Sequence, residues 1–339
     1  MLDFLYSKLH NLHWEQFTVV GSTLLTFFFA AIVSFIGQFQ RLRMHVSFAG
    51  FWEHCFPAAG WTSTSSRIDI IMYVAGKLTR GLLAIGDAFL AVGVASGIAA
   101  GLHSVMPQHV PLHAGFLTVV SWSIVFFLFA DFANFFTHYL QHKVGFLWEL
   151  HKVHHSATFL TPLTTARMHP LGDKFDHIGA ILLGALPMGL CLFLYQLSLA
   201  DMLIMMGNAN LIGTILVLDA LRHSHFPVSF GKLDFVLISP HMHQLHHSAR
   251  FEHWDKNMGN KLSIWDFMFG TAFIPDKGEI LTYGIGRGAA LDAEYHTLAG
   301  VYVRPVINMF KVMVFGAQEP PPIPIEAPRA TPSADHPSP

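Results

Sequence analysis

The sequence predicts an all-α integral membrane protein with four to five transmembrane helices and a cytoplasmic, histidine-rich helical cap. Three observations carry this. Of 339 residues, 52% are hydrophobic and only 12% charged, with a mean hydropathy of +0.44, whereas a soluble domain carries about 25% charged residues. Several apolar runs free of Lys and Arg reach the ~20 residues a helix needs to cross a hydrocarbon core about 30 Å thick. Histidine, at 23 residues, is the one polar type in clear excess, and its strings fall at span ends and in the segments that follow.

Taken in order, the first run is Phe17 to Gly37. The residues before it hold Asp3, Lys8 and Glu15 without a basic cluster, which argues against a cleaved signal peptide. Leu82 to Gly101 and Gly115 to Phe136 follow, the latter with a single acid, Asp131. Ile178 to Leu221 is long enough for a tight hairpin of two shorter spans, broken near Gln196–Asp201. The connecting segments alternate in charge. Arg41, Arg43, Arg67, Lys77 and Arg80 lie between the first two spans, and Leu102 to Ala114 has no Lys or Arg. Lys143, Lys152, Arg167 and Lys174 come next, the hairpin turn has none, and Arg222, Lys232 and Arg250 follow it. Cytoplasmic loops concentrate Lys and Arg, so this order predicts an outside N-terminus and a cytoplasmic C-terminal half. His223 to Thr271 mixes polar residues with Trp254, Trp265, Phe267 and Phe269, a texture suited to a cap against headgroups. The chain thus divides into N-terminal spans (1–114), a histidine-bearing domain (115–316) and a proline-rich tail (317–339) expected to be disordered and without chemistry.

Several function classes fall away. A formal net charge of −2 provides no field for nucleic acid. Cys55 and Cys191 cannot build a disulfide framework, and Cys191 sits in an apolar run where a thiol behaves as a small hydrophobe. Any metal must therefore be held by nitrogen and oxygen. No H-E-x-x-H peptidase helix is present, nor a serine nucleophile elbow. Gly284-Ile-Gly286-Arg-Gly288 has the wrong spacing for a dinucleotide fingerprint.

The histidine strings are specific. His138 and His142 are four apart, so on a helix both project from one face, with Asp131 two turns earlier on the same stripe. His151-Lys-Val-His154-His155 follows at i, i+3 and i+4. In Ser239-Pro240-His241-Met-His243-Gln-Leu-His246-His247, Ser239 is an expected N-cap and Pro240 the first helical residue. That helix presents His243, His246 and His247 together and aims His241 elsewhere. Between the strings stand His169 and the pair His223 and His225, further candidate ligands; Asp131 and Asp219 are candidate acceptors for an imidazole N–H. His10, His13, His45, His54 and His296 read as interfacial residues. His103, His109 and His113, in the loop expected on the opposite face, read as surface, and His336 lies in the tail. Eight or more histidines exceed the four ligands of one zinc ion and suffice for two metals with open positions. Imidazole suits Zn, Cu, Fe and Ni alike, so the donors alone leave the metal open.

This combination resembles the fatty acid hydroxylase/sterol desaturase superfamily, which is marked by H-x-x-x-H, H-x-x-H-H and a final H-x-x-H-H separated by a membrane hairpin. The matching pieces are His138/His142, His151/His154/His155 and His243/His246/His247. Arg167-Met-His169-Pro, Arg222-His223-Ser-His225 and Lys261-Leu-Ser-Ile-Trp265-Asp266-Phe-Met-Phe-Gly270-Thr271 match as well, over roughly Leu117 to Thr271. The resemblance implies a membrane di-iron oxygenase, with zinc a conceivable substitute metal, that uses O₂ and two external electrons to hydroxylate or desaturate a sterol, fatty acyl, sphingoid or carotenoid substrate. It implies a separate ferredoxin-type or cytochrome-type donor, for which Lys143, Lys152, Arg167 and Arg250 are candidate docking cations, with solvated faces or headgroup contacts the alternative. The competing reading is a histidine-rich metal-binding membrane protein or metal transporter. A transporter places its ligands near the bilayer midplane, whereas these strings fall at span ends.

Overall fold

The computed structural model describes residues 32, 47–216, 219–276, 279, 281–286 and 288–316. The expected span Phe17–Gly37 apart from Ile32, the charged segment before it, Arg41 and Arg43, and the tail 317–339 lie outside the described residues.

The chain is mainly helical. Helix α1 (Phe48–Cys55) starts at Ser47, whose Oγ accepts from Gly50 N. Helix α2 (Thr64–Val105) starts at Ser63, whose Oγ accepts from Ser66 N, and runs for 42 residues. At 1.5 Å per residue that is about 63 Å, twice a hydrocarbon core. Only its last part, Phe89–Val105, stands out as an apolar helix. Arg67, Lys77 and Arg80, assigned to a loop by their charge, sit on this helix instead. Its sequence contains no proline, so nothing in the backbone stops the helix where hydropathy falls.

Helix α3 (Phe116–Lys143) is long and apolar enough to cross a membrane, with a mean hydropathy of 2.0. The chain breaks at Val144 and continues as α4 (Gly145–His155). After a 3₁₀ turn at Pro162–Ala166, α5 (Pro170–Leu194) is a second candidate span, also with a mean hydropathy of 2.0. Helix α6 (Leu199–Leu216) completes the expected hairpin. A two-residue parallel pairing joins Leu112–His113 to Tyr195–Gln196. The loop before α3 and the α5–α6 turn therefore meet at one end of the bundle. The other end receives the last turn of α3, the first turn of α5 and the chain leaving α6.

Close approach of the helices depends on two glycines. A Cβ on Gly189 of α5 would lie 2.8 Å from Ala95 O and 2.6 Å from Ile98 Cβ of α2, and one on Gly179 would run into Thr137 Cγ2 of α3. Ala95, Phe126, Ala185, Met188, Cys191 and Met205 fill the core between these helices.

The short helices α7 (Pro240–His246) and α8 (Ile264–Phe269) gather with α4 at the second end. As expected, Ser239 Oγ accepts from Met242 N and Pro240 opens α7. A third candidate span, Leu298–Phe315, has a mean hydropathy of 1.4 and was not anticipated, because Arg304, Pro305 and Lys311 interrupt its apolar run. It is broken at Val303 into Leu298–Tyr302 and α9 (Arg304–Phe315), which packs on α4. With three such helices among the described residues, this is a membrane protein.

Candidate metal centre

The histidine strings converge into two groups. His138, His142, His151, His155 and His246 form one, and His154, His223, His243 and His247 the other; within each, the donor nitrogens all lie within 4.8 Å of one another. The groups abut, with ring centroids 4.6 Å apart for His155 against His247 and 5.3 Å apart for His246 against His247. The two H-x-x-H-H strings do not deliver their imidazoles to one place. Each i, i+4 pair, His151/His155 and His243/His247, serves one group, and the i+3 residue, His154 or His246, serves the other. Helices α4 and α7 are thereby stitched across both groups, and α3 adds the i, i+4 pair His138/His142 to one.

The inner nitrogens crowd together. Nε2 of His138 lies 3.0 Å from Nε2 of His151, which is 3.2 Å from Nε2 of His155. In the second group, Nε2 of His223 lies 3.1 Å from Nε2 of both His154 and His247 and 2.9 Å from that of His243. Ligands around an ion with metal–nitrogen bonds of about 2.1 Å stand roughly 3.0–3.4 Å apart, and these spacings match that range. They cannot all be hydrogen bonds, since one Nε2–H serves one acceptor while His151 Nε2 has two such neighbours and His223 Nε2 three. His138 Nδ1–H donates to Met258 O at 2.8 Å and His246 Nδ1–H to Lys256 O at 2.7 Å. Those contacts place the proton on the outer nitrogen and leave a lone pair on the inner one. His142 and His246 each bury an Nε2 without any partner. Converging, unpartnered lone pairs fit a cation and fit little else.

Electrostatics agree. Burial, followed by neighbouring imidazoles and, at His223 and His243, the Arg222 guanidinium, pushes His151, His155, His223, His243, His246 and His247 well below the ordinary imidazole range. His154 is pushed down to about 3, again first by burial. Neutral imidazole is the form that ligates a metal. Behind the rings, Asp255 Oδ1 lies 3.3 Å from His142 Nδ1, and Thr165 Oγ1 lies 3.0 Å from His223 Nδ1. Arg222 Nη2 donates to His243 Nδ1 at 3.0 Å, so ligation through Nε2 requires release of the His243 proton. A cavity of about 190 Å³ opens onto the five-imidazole group, walled by Trp148, Trp254, Asp255 and Ile285.

Other candidate residues are placed elsewhere. His169 is the N-cap of α5: its Nδ1 accepts from Leu171 N, and its Nε2–H donates to Tyr302 O at 3.1 Å. His225 Nε2–H donates to His54 O at 2.7 Å, and the ring stacks on Phe159. Neither belongs to the two groups, nor does His241, as expected. His103 and His109 pack on Phe193 rather than standing free. Asp131 accepts from Lys261 N, Leu262 N and Trp265 Nε1 at 2.8–3.0 Å and so anchors the chain entering α8 instead of touching an imidazole. The Asp219 side chain lies outside the described residues. Two docking cations are corrected: Lys152 and Arg167 are fully buried against Glu149 and Asp69. Lys143 pairs with Asp255, and Arg250 with Glu279.

Sequence reasoning missed Asp255, Asn257 and Asp69. Each is a single polar residue outside any histidine string, and its partners are distant or backbone atoms, so no local spacing announces it.

Residues 123–271 match the family model described as Fatty acid hydroxylase. The match covers somewhat less than half of the chain and takes in the histidine strings from His138 to His247. The chain is 24% identical over 286 residues to ornithine lipid hydroxylase OlsE of Rhizobium tropici, covering 83% of this chain and 80% of that protein. It is 28% identical over 172 residues to alkylglycerol monooxygenase of Danio rerio and 25% over 178 residues to that of Homo sapiens. Those two alignments span 50% and 52% of this chain but only 35% and 36% of the relatives, so the chain covers about a third of their length. No solved structure matches.

Proposed function

We propose that this chain is a membrane-bound non-haem di-iron oxygenase that hydroxylates a lipid. The observation that carries the reading is the pair of abutting imidazole groups with inner lone pairs aimed at two common points. His138, His142, His151, His155 and His246 would hold one ion, and His154, His223, His243 and His247 the other. Imidazole accepts zinc as readily as iron; the relatives' names, hydroxylase and monooxygenase, favour the redox metal and favour hydroxylation over desaturation. Bound there, the ions supply reductive activation of O₂, for a net conversion of R–H, O₂, two electrons and two protons into R–OH and water.

The chain's own residues then have defined tasks. Buried imidazoles and the packed helices around them exclude water from a strong oxidant. Exposed apolar side chains on α3 and α5, such as Ile124, Phe129, Leu182 and Leu186, face the hydrocarbon from which a lipid enters without crossing water. An acyl- or alkyl-bearing polar lipid suits both kinds of relative. Lys143, Lys174, Arg222, Lys232 and Arg250 belong to the imidazole-bearing end, which supports a cytoplasmic location by their charge. The electrons come from a separate ferredoxin-type or cytochrome-type donor.

The test is turnover in lipid nanodiscs with a chemical or protein reductant and ¹⁸O₂. We expect a lipid product that has gained one labelled oxygen, and loss of at least about 100-fold in rate for His154→Ala. A product that has lost two hydrogens redirects the reading to desaturation. Full activity in His154→Ala overturns the ligand assignment.

A further inference from the structure

One short turn, Asp255–Met258, stands behind one imidazole group and not the other. Met258 O takes the Nδ1–H of His138, Lys256 O takes that of His246, and Asp255 Oδ1 faces Nδ1 of His142. These three imidazoles come from α3 and α7, and all belong to the five-imidazole group. In the other group the outer nitrogens of His223 and His243 meet Thr165 and Arg222. The turn therefore touches three of five imidazoles on one side, with no hydrogen bond from it to the other four.

The turn has a built shape. Asp255 and Asn257 both adopt positive φ, 58° and 52°, a left-handed conformation that Asp and Asn tolerate better than other residues with a side chain. Asn257 is fully buried and ties the turn to both flanks. Its Nδ2 donates to Met242 O at 3.0 Å and Phe273 O at 2.7 Å, and its Oδ1 accepts from Phe273 N at 2.7 Å. Asp266, at the start of α8, accepts from Met258 N and Gly259 N at 2.8 Å each. The Lys261–Thr271 stretch thus reaches the imidazoles through backbone. Asp266 fixes Met258, and Met258 O fixes His138.

We infer that Asp255–Met258 is the positioning element of a single metal position. It sets the tautomer and aim of His138, His142 and His246, with Asn257 holding its shape, and so controls occupancy of the five-imidazole position separately from its neighbour. The inference rests on the two-ion reading above. Outer hydrogen bonds of this kind change metal affinity by about 10- to 100-fold in other sites.

Metal content and release to a chelator, measured on the purified full chain loaded with iron, test it. Substituting Asn257→Gly permits the positive φ while removing the amide, and iron should fall from two per chain toward one. Asp255→Gly removes only the carboxylate, and one of the two ions should become about 10-fold or more easier to extract. Asp255→Asn keeps an acceptor oxygen and should restore most of the retention. Lys143→Met removes the ion-pair partner but leaves the carboxylate, and should match the unsubstituted chain. In His154→Ala, which weakens the four-imidazole position, the remaining ion should become sensitive to Asp255→Gly. Wild-type retention of both ions in Asn257→Gly and Asp255→Gly overturns the inference, as does parallel loss of both ions in these variants. Fewer than two ions in the unsubstituted chain sinks the two-ion reading itself, independently of the variants.

Discussion

Arg167 illustrates how far a residue's role can lie from its local pattern. It is fully buried, pairs with Asp69 at 2.9 Å, and donates as well to Val153 O, Ser156 Oγ, Ser65 O and Tyr295 O. Val153 stands between the imidazole-bearing residues of α4, so one guanidinium ties that helix to α2. Replacing Arg167 with Ala leaves the Asp69 carboxylate buried and unpaired, and should cost about 3–5 kcal/mol of stability. Arg167→Lys keeps the charge but not the planar fork and should fall between the two in thermal unfolding. A wild-type midpoint for Arg167→Ala would show that the pair bears no load. The family resemblance marked Arg167-Met-His169-Pro, yet the sequence suggested a docking cation at Arg167, because its partner Asp69 is 98 positions away. The histidine strings were legible for the opposite reason: i, i+3 and i+4 are neighbours on any helix. Their division between two groups was not legible, because it depends on how α4 and α7 cross.

At the scale of elements, hydropathy located α3, the α5–α6 hairpin and the apolar end of α2. It misjudged where α2 begins, since a helix can carry Arg67, Lys77 and Arg80 beyond a membrane without any change in backbone chemistry. It also missed Leu298–Phe315, whose apolar residues are interrupted by Arg304, Pro305 and Lys311. Asp131 was legible as a buried acid near the imidazoles, but its helical stripe does not determine its partner. Helix packing rests on features that hydropathy ignores. Gly189 lets the backbone of α2 approach α5, so Gly189→Leu must push against Ala95 O and Ile98. Overpacking of this kind costs typically 1–3 kcal/mol, and contact with a backbone atom places this case at the upper end. We expect a lower unfolding temperature in detergent, with Gly189→Ala milder. Equal stability of Gly189→Leu would mean that α2 and α5 separate at little cost.

Across the whole molecule, an apolar bundle holds a dense set of neutral imidazoles at one end, and this arrangement couples stability to pH. Unfolded histidine titrates near 6.5. In the folded chain, burial holds His151, His155, His223, His243, His246 and His247 well below that value and His154 at about 3. Between the folded and unfolded values, the unfolded chain binds more protons, so stability is greatest above pH 6.5 and falls as pH drops through that window. Each such imidazole contributes up to about 1.4 kcal/mol per pH unit. Chelator-treated protein should therefore lose its unfolding midpoint steeply between pH 7.5 and 5, with more than one proton taken up per molecule unfolded. Iron-loaded protein should hold its midpoint to lower pH, because metal binds only the folded, deprotonated ligands. A chelator-treated midpoint that stays flat across this range would mean that the imidazoles reach solvent one by one, and a water-excluding di-metal chamber could not be built from them.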